Sequence, residues 1–215
     1  MSSFPPDDAD AAGLEALSLG PEAARQRLVL LHGWGADADD LLELGEQLVG
    51  PAVSVVALRA PQTHPAGFGR QWYGLSPAPD WAQLPEARRD LRRRLAALAA
   101  TVPLESTALL GFSQGAAMAL DAGVDLPLAA LIACSGYPHP DWQPQPLAPV
   151  LLTHGRQDPV VAAAASEELE QRLRAAGGTV RRVEFPGGHG IDPALFPLLR
   201  EFLEAGWGRA AGQEC

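Results

Sequence analysis

The chain of 215 residues contains no lysine and no asparagine, and all sixteen basic side chains are arginines. Without a lysine amine, the chain cannot form a Walker A phosphate loop, a Schiff base or a Ser-Lys dyad. Without asparagine, a Cys-His-Asn arrangement lacks its third member. The chemistry that remains available rests on hydroxyl, imidazole, carboxylate and backbone N–H groups.

Basic side chains are also outnumbered, with 16 Lys and Arg residues against 26 Asp and Glu residues and a formal net charge of -10. Nucleic acids and anionic membrane surfaces attract proteins through clusters of Lys and Arg, so a strongly acidic chain is repelled by both. We therefore expect no nucleic acid among the partners of this protein.

Cysteines and long apolar runs are scarce as well. The two cysteines, Cys134 and Cys215, form neither a disulfide framework nor a CxxC metal pair. The first residues, MSSFPPDDADAAG, have acid and proline where a signal peptide needs basic and apolar regions. No apolar run approaches the roughly eighteen residues of a membrane span. The sequence therefore predicts a cytoplasmic protein without a transmembrane segment, in which Cys134 is a small buried residue.

The remaining pattern predicts an α/β fold with a mostly parallel central sheet flanked by helices. Short apolar runs bounded by glycine or proline predict buried strands at 27–31, 53–58, 107–111, 128–134, 149–153 and 179–185. Segments of helical period predict helices at 39–49, 84–100, 113–123, 160–176 and 193–205, with Gly177 and Gly206 following the last two. On the second of these helices, five arginines (Arg88, Arg89, Arg92, Arg93 and Arg94) are expected to form a solvated face.

The length indicates a single domain over residues 1–215, with flexible ends at about 1–13 and 209–215. Residues 14–19 are compatible with an edge strand or with a turn of helix. Residues 59–79 are rich in proline and glycine and predict a surface excursion, a kind of loop that is often functional. A homodimer is compatible with the sequence.

The strongest local motif is Gly111-Phe112-Ser113-Gln114-Gly115, a G-x-S-x-G run between a predicted strand and a predicted helix. A nucleophile elbow needs this context, because its glycines avoid clashes in a sharp turn that exposes the serine hydroxyl. The alternative is a serine that caps the helix after a glycine turn. The motif alone does not separate the two.

Two further residues fit the elbow interpretation. Asp158 follows the strand at 149–153 and His189 follows the last strand, so Ser113, Asp158 and His189 occur in the order that an α/β-hydrolase needs. Each also lies at the carboxyl end of a strand, where open parallel sheets collect their active sites. Taken singly, the aspartate is a common helix cap and the histidine a common turn residue. Together they predict a catalytic triad.

An oxyanion hole requires backbone N–H groups beside the nucleophile. The N–H of Gln114 begins a helix, and the glycines of Gly33-Trp34-Gly35 let a second N–H face the site from the end of the first predicted strand. We interpret His32, which precedes this turn, as a structural hydrogen-bonding residue. The other histidines lack a second ligand at a suitable spacing, so we expect no metal site.

The motifs LHGWGADADDLL, QWYGL, GFSQGAAMAL, THGRQDPVV and GGHGI together resemble the carboxylesterase/phospholipase and acyl-protein thioesterase family of the α/β-hydrolase fold. The resemblance implies a fold with no large cap domain and the hydrolysis of small-molecule acyl esters or thioesters without a cofactor. It implies the following site residues: Ser113, Asp158 and His189 as the triad, Trp34 and Gln114 as oxyanion N–H donors, and Trp72 and Val160 as substrate contacts.

The sequence therefore predicts a serine hydrolase that works through an acyl-serine intermediate. Two alternatives stay open: a non-catalytic binding protein on the same scaffold, or another hydrolase such as a peptidase or a dienelactone-type enzyme. A dienelactone-type enzyme is expected to carry cysteine in place of Ser113. The net charge favours neutral acyl esters over anionic ones, unless Arg70 or Arg156 faces the site.

Overall fold

Residues 15–211, the part of the chain that the computed structural model describes, form nine β-strands and five α-helices. The strands are β1 (Ala16–Leu19), β2 (Arg27–Leu31), β3 (Ser54–Leu58), β4 (Gln62–Thr63), β5 (Arg70–Gln71), β6 (Thr107–Phe112), β7 (Ala130–Cys134), β8 (Val150–Gly155) and β9 (Val180–Phe185). The helices are α1 (Leu42–Leu48), α2 (Leu84–Leu98), α3 (Gln114–Gly123), α4 (Ala164–Ala175) and α5 (Phe196–Ala211).

Seven strands form one sheet in the order β1-β3-β2-β6-β7-β8-β9. All neighbours are parallel except β1, which runs antiparallel to β3 at the edge. The expected mostly parallel sheet is confirmed, and the ambiguous segment near residue 16 is an edge strand. Strands β4 and β5 pair separately, as a short ribbon within the predicted excursion.

Successive residues of the central strands pack on opposite faces of the sheet, which explains the continuous apolar runs. In β2, Val29 and Leu31 belong to the core on the side of α2, α3 and α4. Leu28 and Leu30 belong to the core on the side of α1 and α5. Because the strands are parallel, their carboxyl ends meet along one edge of the sheet.

The arginines of α2 fall only in part on a solvated face. Arg89 and Arg93 are exposed, as predicted. The prediction is wrong for Arg94, which is 4% exposed and donates from Nη1 to the backbone oxygen of Arg59 at 2.7 Å. The long aliphatic part of an arginine can lie along the core side of a helix while its guanidinium group reaches a backbone oxygen. The helical period of the sequence alone does not show that an arginine is buried in this way.

Two helix boundaries differ most from the predictions. Helix α4 begins at Ala164 rather than at residue 160, because the Asp158 side chain accepts the N–H groups of Val160 and Val161 and holds them in a turn. Helix α5 continues past Gly206 to Ala211, so residues 209–211, expected to be flexible, are helical. Residues 1–13 and 212–215, the rest of the predicted flexible ends, lie outside the described residues.

The scarcity of cysteine and apolar runs has a structural counterpart. Cys134 lies in β7 with no exposed surface, as predicted, and burial raises the pKa of its thiol to about 11. Cys215 lies outside the described residues. Between residues 15 and 211, no helix combines the length and the apolar character that crossing a membrane requires.

Gly206 and Gly208 provide a matched test of α5. A Cβ at Gly206 would lie 2.7 Å from the Ala129 backbone oxygen, whereas a Cβ at Gly208 would meet nothing within 4 Å. We expect Gly206→Ala to destabilise the protein by about 1–3 kcal/mol through overpacking. Gly208→Ala is expected to stabilise it by about 0.5–1 kcal/mol through helix propensity. Urea unfolding of both variants checks this, and shifts of the same sign would contradict the packing of α5.

Candidate active site

Ser113 occupies a sharp turn between β6 and α3, with φ 54° and ψ −117°. This backbone conformation is strained for a residue that carries a side chain. The turn is possible because its flanking residues are glycines. A Cβ at Gly111 would lie 2.3 Å from the Gly115 oxygen, and a Cβ at Gly115 would lie 2.2 Å from the Leu31 oxygen. The motif therefore has the geometry of a nucleophile elbow rather than that of an ordinary serine cap, and the Ser113 side chain makes no cap hydrogen bond.

A continuous hydrogen-bond chain joins Ser113, His189 and Asp158. The Ser113 Oγ lies 2.9 Å from His189 Nε2, and His189 Nδ1 lies 2.7 Å from Asp158 Oδ2. An ionised carboxylate can only accept, so Nδ1–H donates to Asp158 and Nε2 accepts the Ser113 O–H. The three residues follow β6, β9 and β8, so the structure brings together the groups that the sequence placed at three strand ends.

Asp158 is buried, yet its surroundings stabilise the charged form. Burial alone would raise the pKa of its carboxyl group. The hydrogen bonds from His189 and from the N–H groups of Val161 and Val160 outweigh burial and hold that pKa below its usual range. Both N–H donors contact Oδ1 at 2.8 Å, which leaves Oδ2 for His189. Asp158 is therefore a fixed anion that orients the imidazole.

Two backbone N–H groups are the predicted oxyanion donors, on one residue that follows Ser113 in the chain and one that lines the cavity beside it. One belongs to Gln114 at the start of α3, and the other to Trp34 in the turn after β2. Within residues 15–211, neither N–H donates to a protein acceptor. The turn is held by His32, whose Nδ1 donates to the Gly33 oxygen at 2.8 Å and whose Nε2 accepts from the Ala60 N–H at 3.1 Å. Burial lowers the pKa of His32, so it is an uncharged structural residue, as predicted.

The side chain of Gln114 has a role that sequence reasoning missed. It has no exposed surface, its Oε1 accepts from the Trp72 N–H at 3.0 Å, and its Nε2 donates to the Tyr73 oxygen at 2.7 Å. The helix residue beside Ser113 thus ties the excursion after β5 to the elbow. The polar residue directly after the motif serine could have indicated a structural role. The sequence around it does not show which distant residues it contacts.

Trp72 belongs to the scaffold rather than to the substrate cavity. Its indole is 1% exposed and donates from Nε1 to the His32 oxygen at 2.9 Å. It is not among the residues that line the cavity beside Ser113. The expected substrate contact at Trp72 is therefore replaced by a structural role, because the indole N–H is used to close the turn after β2.

A cavity of about 500 Å³ opens beside Ser113 and His189. Its wall is mainly apolar and is formed by Trp34, Leu75, Trp81, Phe112, Val160 and Val161, together with the half-buried Tyr137. Val160, expected as a substrate contact, lies at the rim and is 68% exposed. Trp81 and Tyr137 were not predicted, since neither belongs to a motif.

Among residues 15–211, no arginine lines this cavity. Arg70 donates to the Ala60 oxygen at 2.9 Å and to Glu15 at 3.0 Å, and Arg156 pairs with Glu184 at 3.3 Å. Both guanidinium groups make these contacts away from the cavity. Neither Arg70 nor Arg156 faces the site, so neither favours an anionic ligand there. The cavity wall is uncharged apart from any charge that His189 acquires.

Comparison with known proteins gives consistent results. A model of the phospholipase/carboxylesterase family matches residues 14–206. The esterase YpfH of Escherichia coli is 31% identical over 188 residues, which cover 79% of this chain and 78% of that protein. Acyl-protein thioesterase 1 of Neurospora crassa is 29% identical over 116 residues, 47% of this chain and 46% of that protein.

Solved structures extend the likeness to three dimensions. Esterase PE8, known from a crystal structure, has 34% sequence identity to this chain. The two structures superimpose with a TM-score of 0.81 over 89% of this chain and 98% of that one. The Bacillus cereus carboxylesterase superimposes with a TM-score of 0.79 at 22% identity, covering 91% and 96%, and this likeness concerns the fold alone. Taken with the family match over residues 14–206, these findings show that the chain belongs to the phospholipase/carboxylesterase family of α/β-hydrolases.

Proposed function

We propose that this family member cleaves carboxylic esters and acyl thioesters with Ser113 as nucleophile, His189 as general base and Asp158 as the orienting acid. The observation that carries the proposal is the unbroken hydrogen-bond chain from Ser113 Oγ through His189 to Asp158, with links of 2.9 and 2.7 Å. This hydrogen-bond chain ends at Ser113, which lines the cavity, so that its hydroxyl can meet an acyl carbonyl there. Esterases and an acyl-protein thioesterase among the relatives support this substrate class.

In the acylation step, the Ser113 proton moves to His189 Nε2 as Oγ attacks the carbonyl carbon. The bond from that carbon to the alcohol oxygen or thiol sulfur then breaks, and the leaving group takes the proton from His189. In deacylation, water gives its proton to His189 and attacks the acyl carbon. Ser113 then leaves with that proton, so the enzyme returns to its starting state.

The backbone N–H groups of Trp34 and Gln114 are proposed to stabilise the oxyanion that develops in both steps. Gln114 directly follows Ser113, Trp34 lines the cavity beside it, and neither N–H is occupied by a protein acceptor within the described ranges. Gln114 also begins α3, so the positive end of that helix adds to the stabilisation. One such donor typically contributes about 10²–10³-fold to kcat.

A binding protein and a dienelactone-type hydrolase, two of the alternatives, explain less of the site. A binding protein has no need for a strained serine, a base, a buried acid and two open N–H groups in one place. A dienelactone-type hydrolase is expected to have a cysteine nucleophile, whereas this elbow carries Ser113. An ester hydrolase uses every one of these groups.

Ser113→Ala tests the nucleophile, with Ser135→Ala as the matched control. Ser135 follows the neighbouring strand β7, also has a positive φ of 52°, and its buried Oγ has no hydrogen-bond partner within residues 15–211. We expect Ser113→Ala to lower kcat for p-nitrophenyl butanoate by a factor on the order of 10⁶. Ser135→Ala should keep near-normal activity. Substantial turnover by Ser113→Ala would refute the proposed nucleophile.

Asp158→Asn tests the orienting acid. The N–H groups of Val160 and Val161 would hold the amide oxygen at the Oδ1 position, so the NH₂ group would face His189 Nδ1. His189 would then carry its proton on Nε2 and could not accept from Ser113. We expect kcat at neutral pH to fall by about 10⁴-fold.

The control for this variant is Asp192→Asn, because Asp192 also caps a short helical turn, accepting from the Ala194 N–H at 2.9 Å. Activity should be unchanged there, since asparagine is an equally good cap. Equal losses in the two variants would indicate a general effect of removing a carboxylate rather than a wrong imidazole tautomer.

The uncharged cavity wall predicts a preference for neutral acyl groups. A p-nitrophenyl ester of butanoic acid should have a higher kcat/KM than the p-nitrophenyl monoester of succinic acid, whose free carboxylate finds no cationic partner. We expect a difference above about tenfold, which corresponds to a desolvation cost of ~1.4 kcal/mol. Equal kcat/KM values would contradict the assignment of this cavity to the acyl group.

A further inference from the structure

A second chain of hydrogen bonds lies behind the cavity wall and is not used by the proposed mechanism. The Tyr137 hydroxyl lies 2.7 Å from the Tyr73 hydroxyl, which lies 2.8 Å from His139 Nε2. His139 Nδ1 lies 2.8 Å from Asp121 Oδ2, and Arg88 Nη2 lies 2.7 Å from the same oxygen. We call these five residues the tyrosine relay.

The relay runs from Arg88, whose side chain is 38% exposed, through buried residues to the cavity. Tyr73 has no exposed surface, and His139 and Asp121 are 2% and 6% exposed. Tyr137 is half-buried and lines the cavity beside Ser113. Trp81, another lining residue, covers the relay, with ring centroids 5.7 Å from Tyr73 and 5.9 Å from His139. Only the Tyr137 end of the relay is therefore placed to meet a ligand in the cavity.

The end of the relay formed by Arg88 and Asp121 fixes the direction of its hydrogen bonds. Burial alone would raise the pKa of Asp121, but the hydrogen bonds from His139 and Arg88 outweigh burial and hold that pKa below its usual range. The carboxylate is thus charged, and Arg88 balances it. Because Arg88 already balances the carboxylate that His139 contacts, the neutral imidazole is the form that leaves no net charge buried here. Its Nδ1–H donates to the carboxylate, and its Nε2 can only accept.

The donor and acceptor roles of the two tyrosine hydroxyls follow in turn from the role of His139. Burial raises the pKa of Tyr73 well above its usual range and that of Tyr137 to about 12, so both phenols keep their protons. Tyr73 uses its one O–H on His139 Nε2. Its oxygen must therefore accept the O–H of Tyr137. Tyr137 is left with oxygen lone pairs and no free proton, so it can accept a hydrogen bond but not donate one.

We propose that Tyr137 is a specificity-determining residue that accepts a hydrogen bond from a hydroxyl or amide N–H group of the substrate. This inference rests on the proposed function, since it assumes that the substrate occupies the cavity beside Ser113. The enzyme then favours esters that carry a donor group over esters of similar size in which the donor is capped. The donor can lie in the alcohol or in the acyl chain.

Two pairs of substrates separate these positions. The first pair is 2-hydroxyethyl and 2-methoxyethyl butanoate, in which the donor lies in the alcohol. The second is ethyl 3-hydroxybutanoate and ethyl 3-methoxybutanoate, in which the donor lies in the acyl chain. We expect the hydroxy member of one pair to have a kcat/KM about threefold to tenfold above that of its methoxy partner, the usual effect of one neutral hydrogen bond.

Two variants are expected to lower the ratio of the hydroxy-ester rate to the methoxy-ester rate, one by slowing the hydroxy ester and the other by accelerating the methoxy ester. Tyr137→Phe removes the acceptor, so kcat/KM for the hydroxy ester should fall to the level of the methoxy ester. Tyr73→Phe removes the group that accepts the Tyr137 proton, so Tyr137 becomes able to donate and kcat/KM for the methoxy ester should rise. A purely structural role for these tyrosines would lower both rates together, because it has no reason to favour a capped oxygen.

Each ratio is measured within one protein sample, so partial unfolding of a variant cancels. If Tyr73→Phe does not fold, the wild-type ratio and its loss in Tyr137→Phe still decide the question. Equal rates within both pairs for the wild-type protein, or a ratio that survives Tyr137→Phe, would overturn the inference while leaving ester hydrolysis intact. Failure of the proposed function looks different, since Ser113→Ala would then hydrolyse all four esters as fast as the wild-type protein.

Discussion

The close approach of Gly115 to the end of β2 is the contact on which the site depends. A Cβ at this position would lie 2.2 Å from the Leu31 oxygen and 2.5 Å from the His32 oxygen. Because no side chain intervenes, the first turn of α3 rests directly on the strand that leads into the Gly33–Trp34 turn. Ser113 and the backbone N–H groups of Gln114 and Trp34, the proposed nucleophile and oxyanion donors, therefore share one rigid frame. Such a frame is what electrostatic stabilisation of a transition state requires, since its donors must already be in place.

Much of the fold and the central residues of the site can be predicted from the sequence, for a physical reason. A strand buried on both faces must be apolar throughout, so the central strands are visible as continuous runs. Parallel strands end at one edge, so residues that follow different strands are brought together without any further information. Ser113 and Asp158 follow such runs, whereas His189 follows the half-buried edge strand β9, which contains two arginines and a glutamate. Their meeting therefore depends on the type of sheet rather than on detailed packing.

Features that depend on contacts between distant residues could not be predicted. The Gln114 side chain meets Trp72 and Tyr73, which are about forty positions away. Gly206 resembles a helix-ending glycine in sequence but is instead a position where α5 packs closely on the chain before β7. His139 lies in a proline-rich loop, and nothing local indicates that its partner is Asp121, 18 positions earlier. In each case the local pattern is compatible with several partners, and only the fold selects one.

The chain has no lysine, and its proposed site is built from hydroxyl, imidazole, carboxylate and backbone groups. The central step of the proposed reaction is the acylation of Ser113. A fluorophosphonate reacts with an activated serine and stays attached, so mass spectrometry of the digested protein reads the nucleophile directly. We expect one adduct, on the peptide that contains Ser113, with loss of esterase activity in proportion to labelling. An adduct on another residue, or full activity after complete labelling of Ser113, would contradict it.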